Sequence, residues 1–404
     1  MNQKEKKMKI LITTDTYLPT VNGVVTSIIN LENELVKQGH DVRILTLAQK
    51  RDTVKTAKEN VYFIPSMSAE AIYPDARVLR SFARTQVQEI VEWEPDIIHT
   101  QAEFSTFTVA HRIAKYLNIP IVHTYHTVYE DYTHYFSPSK RVGKKAVQKF
   151  SDFVLNKTDA VIAPTEKVRL LLEEYGVETP IYTIPTGIDL SSFKNSLSPD
   201  EMKAAREAWH LPGDQLILLF LGRLAKEKNV EELIGFAAAS ACDWILLIAG
   251  DGPDRPRLEE LAAEYGVMEK VRFLGMIPHR NVQEIYRLAD LYVSGSTSET
   301  QGLTYIEAMA SGLPPLCRMD DCLIDLVVPS ENGFLYETKE EFLKDLEWVA
   351  YHPEEYKRMS AAARIKAEEF SSETFADRVL SLYQRVLNEY DRERTNEKEQ
   401  YYPF

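Results

Sequence analysis

Twice along this chain, short aliphatic runs alternate with longer amphipathic stretches, and that rhythm leaves few folds open. It is the pattern of βα units, in which each strand is covered by a helix and the strands pair in parallel. In the first half, strands are expected at 9–14, 41–46, 61–64, 96–100, 119–124, 160–163 and 181–184. Helices are expected near 23–38, 76–92, 105–117, 139–157 and 166–175. The runs are apolar on both faces, as buried parallel strands require. The rhythm restarts at Leu216-Ile-Leu-Leu-Phe-Leu and continues through Trp244-Ile-Leu-Leu-Ile-Ala, Val271-Arg-Phe-Leu, Leu291-Tyr-Val and Leu316. Helices there fall near 229–240, 254–265, 281–288 and 303–310. The reading is an α/β chain of two Rossmann-like, doubly wound domains, 1–190 and 191–375. A hinge is placed in the turn-rich stretch 186–212, which holds a polar helix near 199–209. The last segment, 376–404, reads as a helix and charged tail crossing back toward the N-terminal domain, frayed beyond Tyr390. Ligands of such sheets bind outside the carboxyl ends of the strands, so the cleft between the two sheets is the expected site.

Charge and cysteine content narrow the function classes. Of 404 residues, 47 are basic and 61 acidic, a formal charge of −14. Residues 1–190 carry 23 of each sign, so the whole excess lies in the second half and the N-terminal half can approach an anionic surface. The overall acidity argues against nucleic acid as a partner. Three cysteines without metal-ligand spacing argue against a disulfide scaffold or zinc site and fit a reducing, cytoplasmic setting. The apolar stretch after Met8 is too short for a secretory segment, and no run approaches the length of a membrane span. A protein of this kind working at a membrane would lie on it.

The most specific segment is Ser298-Glu299-Thr-Gln-Gly302-Leu303-Thr-Tyr-Ile-Glu307-Ala-Met-Ala-Ser-Gly312-Leu-Pro314. Two acids eight positions apart flank a glycine turn that opens a helix after a strand. The Gly302 and Leu303 amides can face a phosphate and gain from the helix dipole. Glu307, about one turn further, can accept hydrogen bonds from a ribose diol. Taken singly, either acid could be an ordinary helix glutamate, one favoured by the dipole and the other solvated. Upstream, Arg223 and Lys228 stand in Gly222-Arg-Leu-Ala-Lys-Glu-Lys-Asn, after the first strand of the second half. As an isolated pair they could be surface salt-bridge partners, whereas beside a pyrophosphate two fixed cations stabilise the charge of a leaving group. Gly250-Asp-Gly252-Pro253 reads mainly as a structural strand-to-helix turn.

Taken together, these segments resemble the Glu-x7-Glu pattern and its companions in the retaining glycosyltransferases of family 4, which share the GT-B fold. The resemblance implies a hexosyltransferase that uses a UDP-sugar. It implies that Arg223 and Lys228 grip the nucleotide diphosphate, that Glu307 holds the ribose, and that Glu299 with the Gly302 and Leu303 amides holds sugar and phosphate. It also implies a diphosphate contact at Gly23, where Asn22 replaces the first glycine of the usual pair and a plain helix cap is the simpler alternative. Pro278, Asn281 and Ala289-Asp290 sit where the family's segment near the nucleobase lies, without singling out one residue. In His123-Thr-Tyr-His126 the resemblance points to His126 as the sugar contact, while His123 is the better candidate for a packed histidine.

The acceptor is read from loops of the first half. No acid occurs between Tyr132 and Ser151, whereas Lys140, Arg141, Lys144, Lys145 and Lys149 are interleaved with Phe136, Val142, Val147, Phe150 and Phe153. At helical spacing this has the form of an interfacial amphipathic helix, and Arg77-Val-Leu-Arg80-Ser-Phe-Ala-Arg84 is a second basic-apolar stretch. A solvated helix whose apolar side packs on the sheet fits the same residues. With the opening Thr14-Asp-Thr-Tyr-Leu-Pro-Thr-Val-Asn-Gly and the Glu299-Thr-Gln-Gly form of the motif, the chain is similar to the bacterial diacylglycerol glucosyltransferases of this family. That implies transfer of glucose from UDP-glucose to 1,2-diacylglycerol with retention, at the inner face of the cell membrane, in glycolipid or lipoteichoic-acid anchor synthesis. No Asp-x-Asp motif is present, so no metal or other cofactor is expected. The open rivals are transfer to monoglucosyldiacylglycerol or a soluble glycan, a sugar-nucleotide epimerase, and a non-catalytic binding protein. A nicotinamide enzyme is disfavoured because the first strand is followed by Thr14-Asp-Thr-Tyr-Leu-Pro rather than Gly-x-Gly-x-x-Gly.

Overall fold

The computed structural model describes residues 7–20, 22–49, 59–69, 77–80, 84–126, 140–194, 198–213, 215–240, 242–278, 281–299 and 301–401. The chain divides into two compact units. The first runs to Gly187 and resumes at Ser372, and the second is Ile188–Ser371.

The first unit contains β1 (Lys9–Thr14), α1 (Gly23–Lys37), β2 (Asp41–Leu47), β3 (Val61–Ile64), β4 (Ser66–Ser68), β5 (Arg77–Leu79), α2 (Arg84–Trp93), β6 (Ile97–Thr100), α3 (Ser105–Leu117), β7 (Ile121–Thr124), α4 (Lys140–Leu155), β8 (Ala160–Ala163), α5 (Glu166–Glu174) and β9 (Ile181–Thr183). Seven strands pair in parallel in the order β3-β2-β1-β6-β7-β8-β9. Strand order reverses between β1 and β6, so the crevice of this sheet opens at their carboxyl ends. One layer of the core joins Ile10, Ile12, Ile28, Leu31 and Val122 to Phe375, Val379 and Tyr383 of the C-terminal helix.

The second unit contains α6 (Pro199–Ala208), β10 (Leu216–Leu221), α7 (Val230–Ala239), β11 (Trp244–Ala249), α8 (Arg255–Glu264), β12 (Val271–Gly275), α9 (Val282–Leu288), β13 (Leu291–Ser294), α10 (Leu303–Ser311), β14 (Pro315–Arg318), β15 (Phe334–Tyr336), α11 (Lys339–Tyr351) and α12 (Pro353–Glu368). Its six parallel strands run β12-β11-β10-β13-β14-β15, with the reversal between β10 and β13. Burial of whole runs explains these strands: every residue of β11 and β13 is buried. α6 opens with a complete capping box, the Ser198 and Glu201 side chains each bonding the other's backbone amide.

Two expectations need correction, and one strand was not anticipated. The helix expected over 76–92 is split: Arg77–Leu79 pairs antiparallel with Ser66–Ser68, and helix begins only at Arg84. The periodicity of Val78, Phe82 and Val87 suits a helix, but Leu79 packs on the core beside Tyr62 and Val87, and strand pairing takes the first part. β15 escaped a reading based on runs, since three residues after a glycine carry no period. The end expected to fray beyond Tyr390 is instead the last part of α13 (Ser372–Tyr401). Among the described residues no helix is long and apolar enough to cross a membrane.

Candidate active site

The loops that leave β10 and β13 meet at the crevice of the second unit. The β10 loop carries Arg223 and ends in a 3-10 turn, Lys226–Lys228, capped by Asn229, which is left-handed at φ 49°. Asn229 donates its side-chain amide to Gly295 O (3.3 Å) and to Glu232 (3.0 Å), and Ser298 Oγ donates to Glu227 O (3.4 Å). Glu232 in turn takes Arg318 (2.5 Å) and the Tyr336 hydroxyl (3.2 Å), so a network beneath the loops fixes their separation. Held this way, Lys228 Nζ reaches Glu299 Oε1 at 2.5 Å, across 71 positions of sequence. The pair is largely shielded, with side chains 24% and 16% exposed. Arg223 is exposed and makes no hydrogen bond or ion pair among the described residues.

Gly302 caps α10 in the left-handed region, at φ 72° and ψ 62°. A Cβ there would stand 2.7 Å from the Tyr305 ring, so glycine suits the turn twice over. Leu303 and Thr304 open the helix, where amides have no intrahelical acceptor and the dipole favours an anion. Beneath α10 lies an aromatic bed in which Tyr292 meets Tyr305 edge-on at 5.0 Å and Tyr286 lies 6.4 Å from Tyr292. Glu307 is half-buried, with Oε2 turned onto this bed. Burial pushes its carboxyl up to about 7, against the opposing hydrogen bond from the Tyr286 hydroxyl at 2.9 Å.

The Gly250–Pro253 turn is structural, as the sequence suggested. Gly250 sits at φ 138°, and a Cβ on it would fall 1.8 Å from Gly222 O. The turn lies directly against the Arg223 loop, with Leu224 N donating to Asp251 O (3.0 Å) and Asp254 N to Leu224 O (3.0 Å). Asp290 is also structural: it accepts from Arg206 (2.8 Å) and from Ile217 N (2.8 Å) at the amino end of β10, away from the crevice.

In the first unit, the crevice gathers residues that follow β1, β6 and β7. Asn22 caps α1 by accepting from Val25 N (2.9 Å), which leaves Gly23 exposed as the first helical residue. His126 Nε2 donates to Gln101 Oε1 at 2.6 Å. Burial holds its imidazole down at about 4, with Glu103 opposing and His123 adding to the effect, so the ring is neutral at ordinary pH. His123 is fully buried and both ring nitrogens are engaged, Nδ1 with Thr100 Oγ1 (2.7 Å) and Nε2 with Glu103 (3.3 Å). It is the packed histidine of the two. Asp15, after β1, receives the Thr106 and Ser105 amides (2.8 and 3.1 Å) at the start of α3, and burial pushes its carboxyl to about 6.

α4 carries the basic residues singled out above. Its inner side buries Val147, Ser151, Val154 and Leu155. Its outer side exposes Arg141, Lys145 and Lys149 together with Val142 (63% exposed) and Phe153 (62%). Lys144 points toward α5 and pairs with Glu174 at 3.8 Å. The Lys140 side chain and residues 127–139, including the rest of the tyrosine-rich segment after His126, lie outside the described residues.

Sequence reasoning missed Tyr286, Gln101, Glu103 and Asp15. Each lies tens of positions from the residue it touches, and only strand order brings the pairs together. A weak signal existed, since Gln101, Glu103 and Asp15 directly follow strands, where ligands of such sheets bind. Among the described residues, no group of three or more His, Cys, Asp or Glu side chains is arranged to hold a metal ion.

Comparison with known proteins fits this architecture. A family model described as Glycosyltransferase Family 4 matches residues 21–192, and one described as Glycosyl transferases group 1 matches residues 201–366. The chain belongs to glycosyltransferase family 4 and is a sugar-transferring enzyme of the GT-B fold. It is 38% identical to the alpha-monoglucosyldiacylglycerol synthase of Streptococcus pneumoniae over 333 residues, covering 81% of this chain and 75% of that one. It is 30% identical to the alpha-monoglucosyldiacylglycerol synthase of Acholeplasma laidlawii, covering 94% and 98%. Among solved structures, HepE of Anabaena in complex with UDP and glucose superposes with a TM-score of 0.72 at 17% identity, covering 94% of this chain and all of that one.

Proposed function

We propose that this enzyme transfers glucose from UDP-glucose to the 3-hydroxyl of 1,2-diacylglycerol, giving alpha-monoglucosyldiacylglycerol with retention of configuration. The observation that carries the reading is the 38% identity to the Streptococcus pneumoniae synthase over 333 residues. The geometry is consistent with it. Lys228 and Arg223 neutralise the diphosphate, the open amides of α10 receive phosphate, and Glu307 accepts from the ribose. In the second unit Glu299, already bonded to Lys228, orients the hexose. In the first unit neutral His126 is assigned a sugar contact, and the amides at the opening of α1, at Gly23, a phosphate contact. The bond from C1 of glucose to the β-phosphate oxygen breaks with its electron pair going to UDP. The acceptor oxygen bonds C1 from the same face, and its proton passes to the departing phosphate oxygen. Fixed cations and helix amides supply the charge stabilisation that this step needs.

Two further properties belong to the same proposal. Catalysis is metal-independent because Arg223 and Lys228 take the role of a divalent cation, so full activity should survive EDTA. The exposed face of α4 binds an anionic membrane surface, as expected for an enzyme on the inner face of the cell membrane. Donor choice is the sharpest test, because mannosyltransferases named for GDP-mannose are also related, one from Corynebacterium glutamicum at 26% identity. Calorimetric titration with each sugar nucleotide should give binding for UDP-glucose and none for GDP-mannose. The reverse order would refute the donor assignment.

A further inference from the structure

We infer that Tyr286 is a positioning residue of the donor site: its hydroxyl holds the Glu307 carboxyl and the opening turn of α10 in one arrangement, and donor binding through Glu307 depends on it. This rests on the reading of Glu307 as the ribose-binding carboxylate. The Tyr286 hydroxyl lies 2.9 Å from Glu307 Oε2 and 3.1 Å from Thr304 O, so a single group spans the first turn of the helix and the carboxylate that follows it. The ring is held edge-on by Phe193 at 5.9 Å and tilted against Tyr292 at 6.4 Å. From β13, the Tyr292 hydroxyl meets Thr304 Oγ1 at 2.8 Å and braces the same turn.

The consequence is electrostatic as well as geometric. Tyr286 is the one side chain bonded to the Glu307 carboxyl among the described residues, and it leaves Oε1 open for a ribose hydroxyl. The other titratable groups on the elements around α10 are engaged elsewhere. Arg364 of α12 donates to Ala310 O and Ser311 O, and Tyr356 to Asp290 O. Cys317 of β14 faces Tyr292 O, and its neighbour Arg318 pairs with Glu232. On α9, Arg287 donates to Ser192 O; on the β10 loop, Lys228 pairs with Glu299. Burial therefore disfavours the charged carboxylate while the Tyr286 O–H favours it, and the balance leaves titration at about 7. A ribose diol, which donates, binds the ionised form better. Donor affinity should rise with pH through that value.

The test uses the full chain and UDP-glucose, whose diphosphate carries no proton that titrates near neutrality, with affinity measured calorimetrically from pH 6 to pH 8. The wild-type Kd should fall about tenfold over that range, as a single group titrating near 7 requires. Tyr286→Phe keeps the ring and removes the hydroxyl. It should move the midpoint up by about half a pH unit or more and weaken binding about twofold or more at pH 7. Glu307→Gln cannot ionise and should bind with a flat profile, and adding Tyr286→Phe to it should leave that profile flat. A flat wild-type profile, or a Tyr286→Phe midpoint equal to wild type, overturns the inference alone. No binding of UDP-glucose by the wild type at any pH overturns the donor reading and the inference with it.

Discussion

Replacing Gly250 with alanine tests how the second unit holds the loop that carries Arg223. The residue sits at φ 138°, where an L side chain is strained by roughly 1–3 kcal/mol. The new methyl would also overlap Gly222 O, standing 1.8 Å from it, and backbone on both sides must shift. Overpacking of that kind costs roughly another 1–3 kcal/mol. The sum, about 2–6 kcal/mol, corresponds to roughly 5–20 °C in the unfolding midpoint of a domain this size. Gly266 in the same unit is the control, because it is also left-handed, at φ 69°, yet nothing lies within 4 Å of its Cβ position. Gly266→Ala should cost only about 1 kcal/mol, the conformational part. Scanning calorimetry of both variants, with UDP-glucose affinity measured alongside, separates clash from strain. Gly250→Ala should lose both stability and donor affinity because Arg223 follows Gly222 directly. Equal midpoints for the two variants, or unaltered affinity in Gly250→Ala, would refute the reasoning.

Three other outcomes are expected. Lys228→Met should lower kcat/KM at least about tenfold while changing stability by no more than about 1 kcal/mol, since an ion pair that keeps some solvent contact adds little to folding; steady-state kinetics beside a denaturant curve checks both, and normal turnover would remove Lys228 from the donor site. Neutralising Arg141, Lys145 and Lys149 to glutamine should weaken sedimentation with anionic vesicles by roughly 3 kcal/mol, near 1 kcal/mol for each lost attraction, and leave binding to neutral vesicles unchanged. Unaltered sedimentation would show that α4 is only a solvated helix. His126 is neutral above about 5, its ring held below the usual range, so it contributes stability that is present above the ordinary histidine value of 6.5 and lost as pH falls from there through about 4. The pH dependence of the unfolding midpoint should accordingly flatten between pH 6.5 and 4 in His126→Gln, and an unchanged slope would contradict the assignment.

Much of this architecture was legible because it is carried by runs. Leu216–Leu221 and Trp244–Ala249 are apolar throughout, and Lys9–Thr14 carries the run Ile10–Ile12, so each announces itself without reference to the rest of the chain. The Glu299 and Glu307 spacing was equally legible, being local to one turn and one helix. What the sequence could not display is pairing across the fold. Lys228 and Glu299 meet only because β10 and β13 are neighbours at the reversal of strand order. Glu307 reads as a solvated helix glutamate until α9 brings Tyr286 against it. On α4, period alone could not say which side packs inward, and the buried Val147 and Val154 settle that Val142 and Phe153 lie outside. The segment after Arg77 fails for the opposite reason, a good helical period overridden by strand pairing with Ser66–Ser68.

The central claim is glucose transfer to a diacylglycerol. Purified enzyme incubated with radiolabelled UDP-glucose and mixed micelles of 1,2-diacylglycerol and anionic phospholipid should yield labelled lipid and UDP in equal amounts. The anomeric proton coupling of the extracted lipid should be that of an alpha-glucoside. Label appearing in lipid only when monoglucosyldiacylglycerol is supplied, or UDP released with no labelled lipid, would contradict the account.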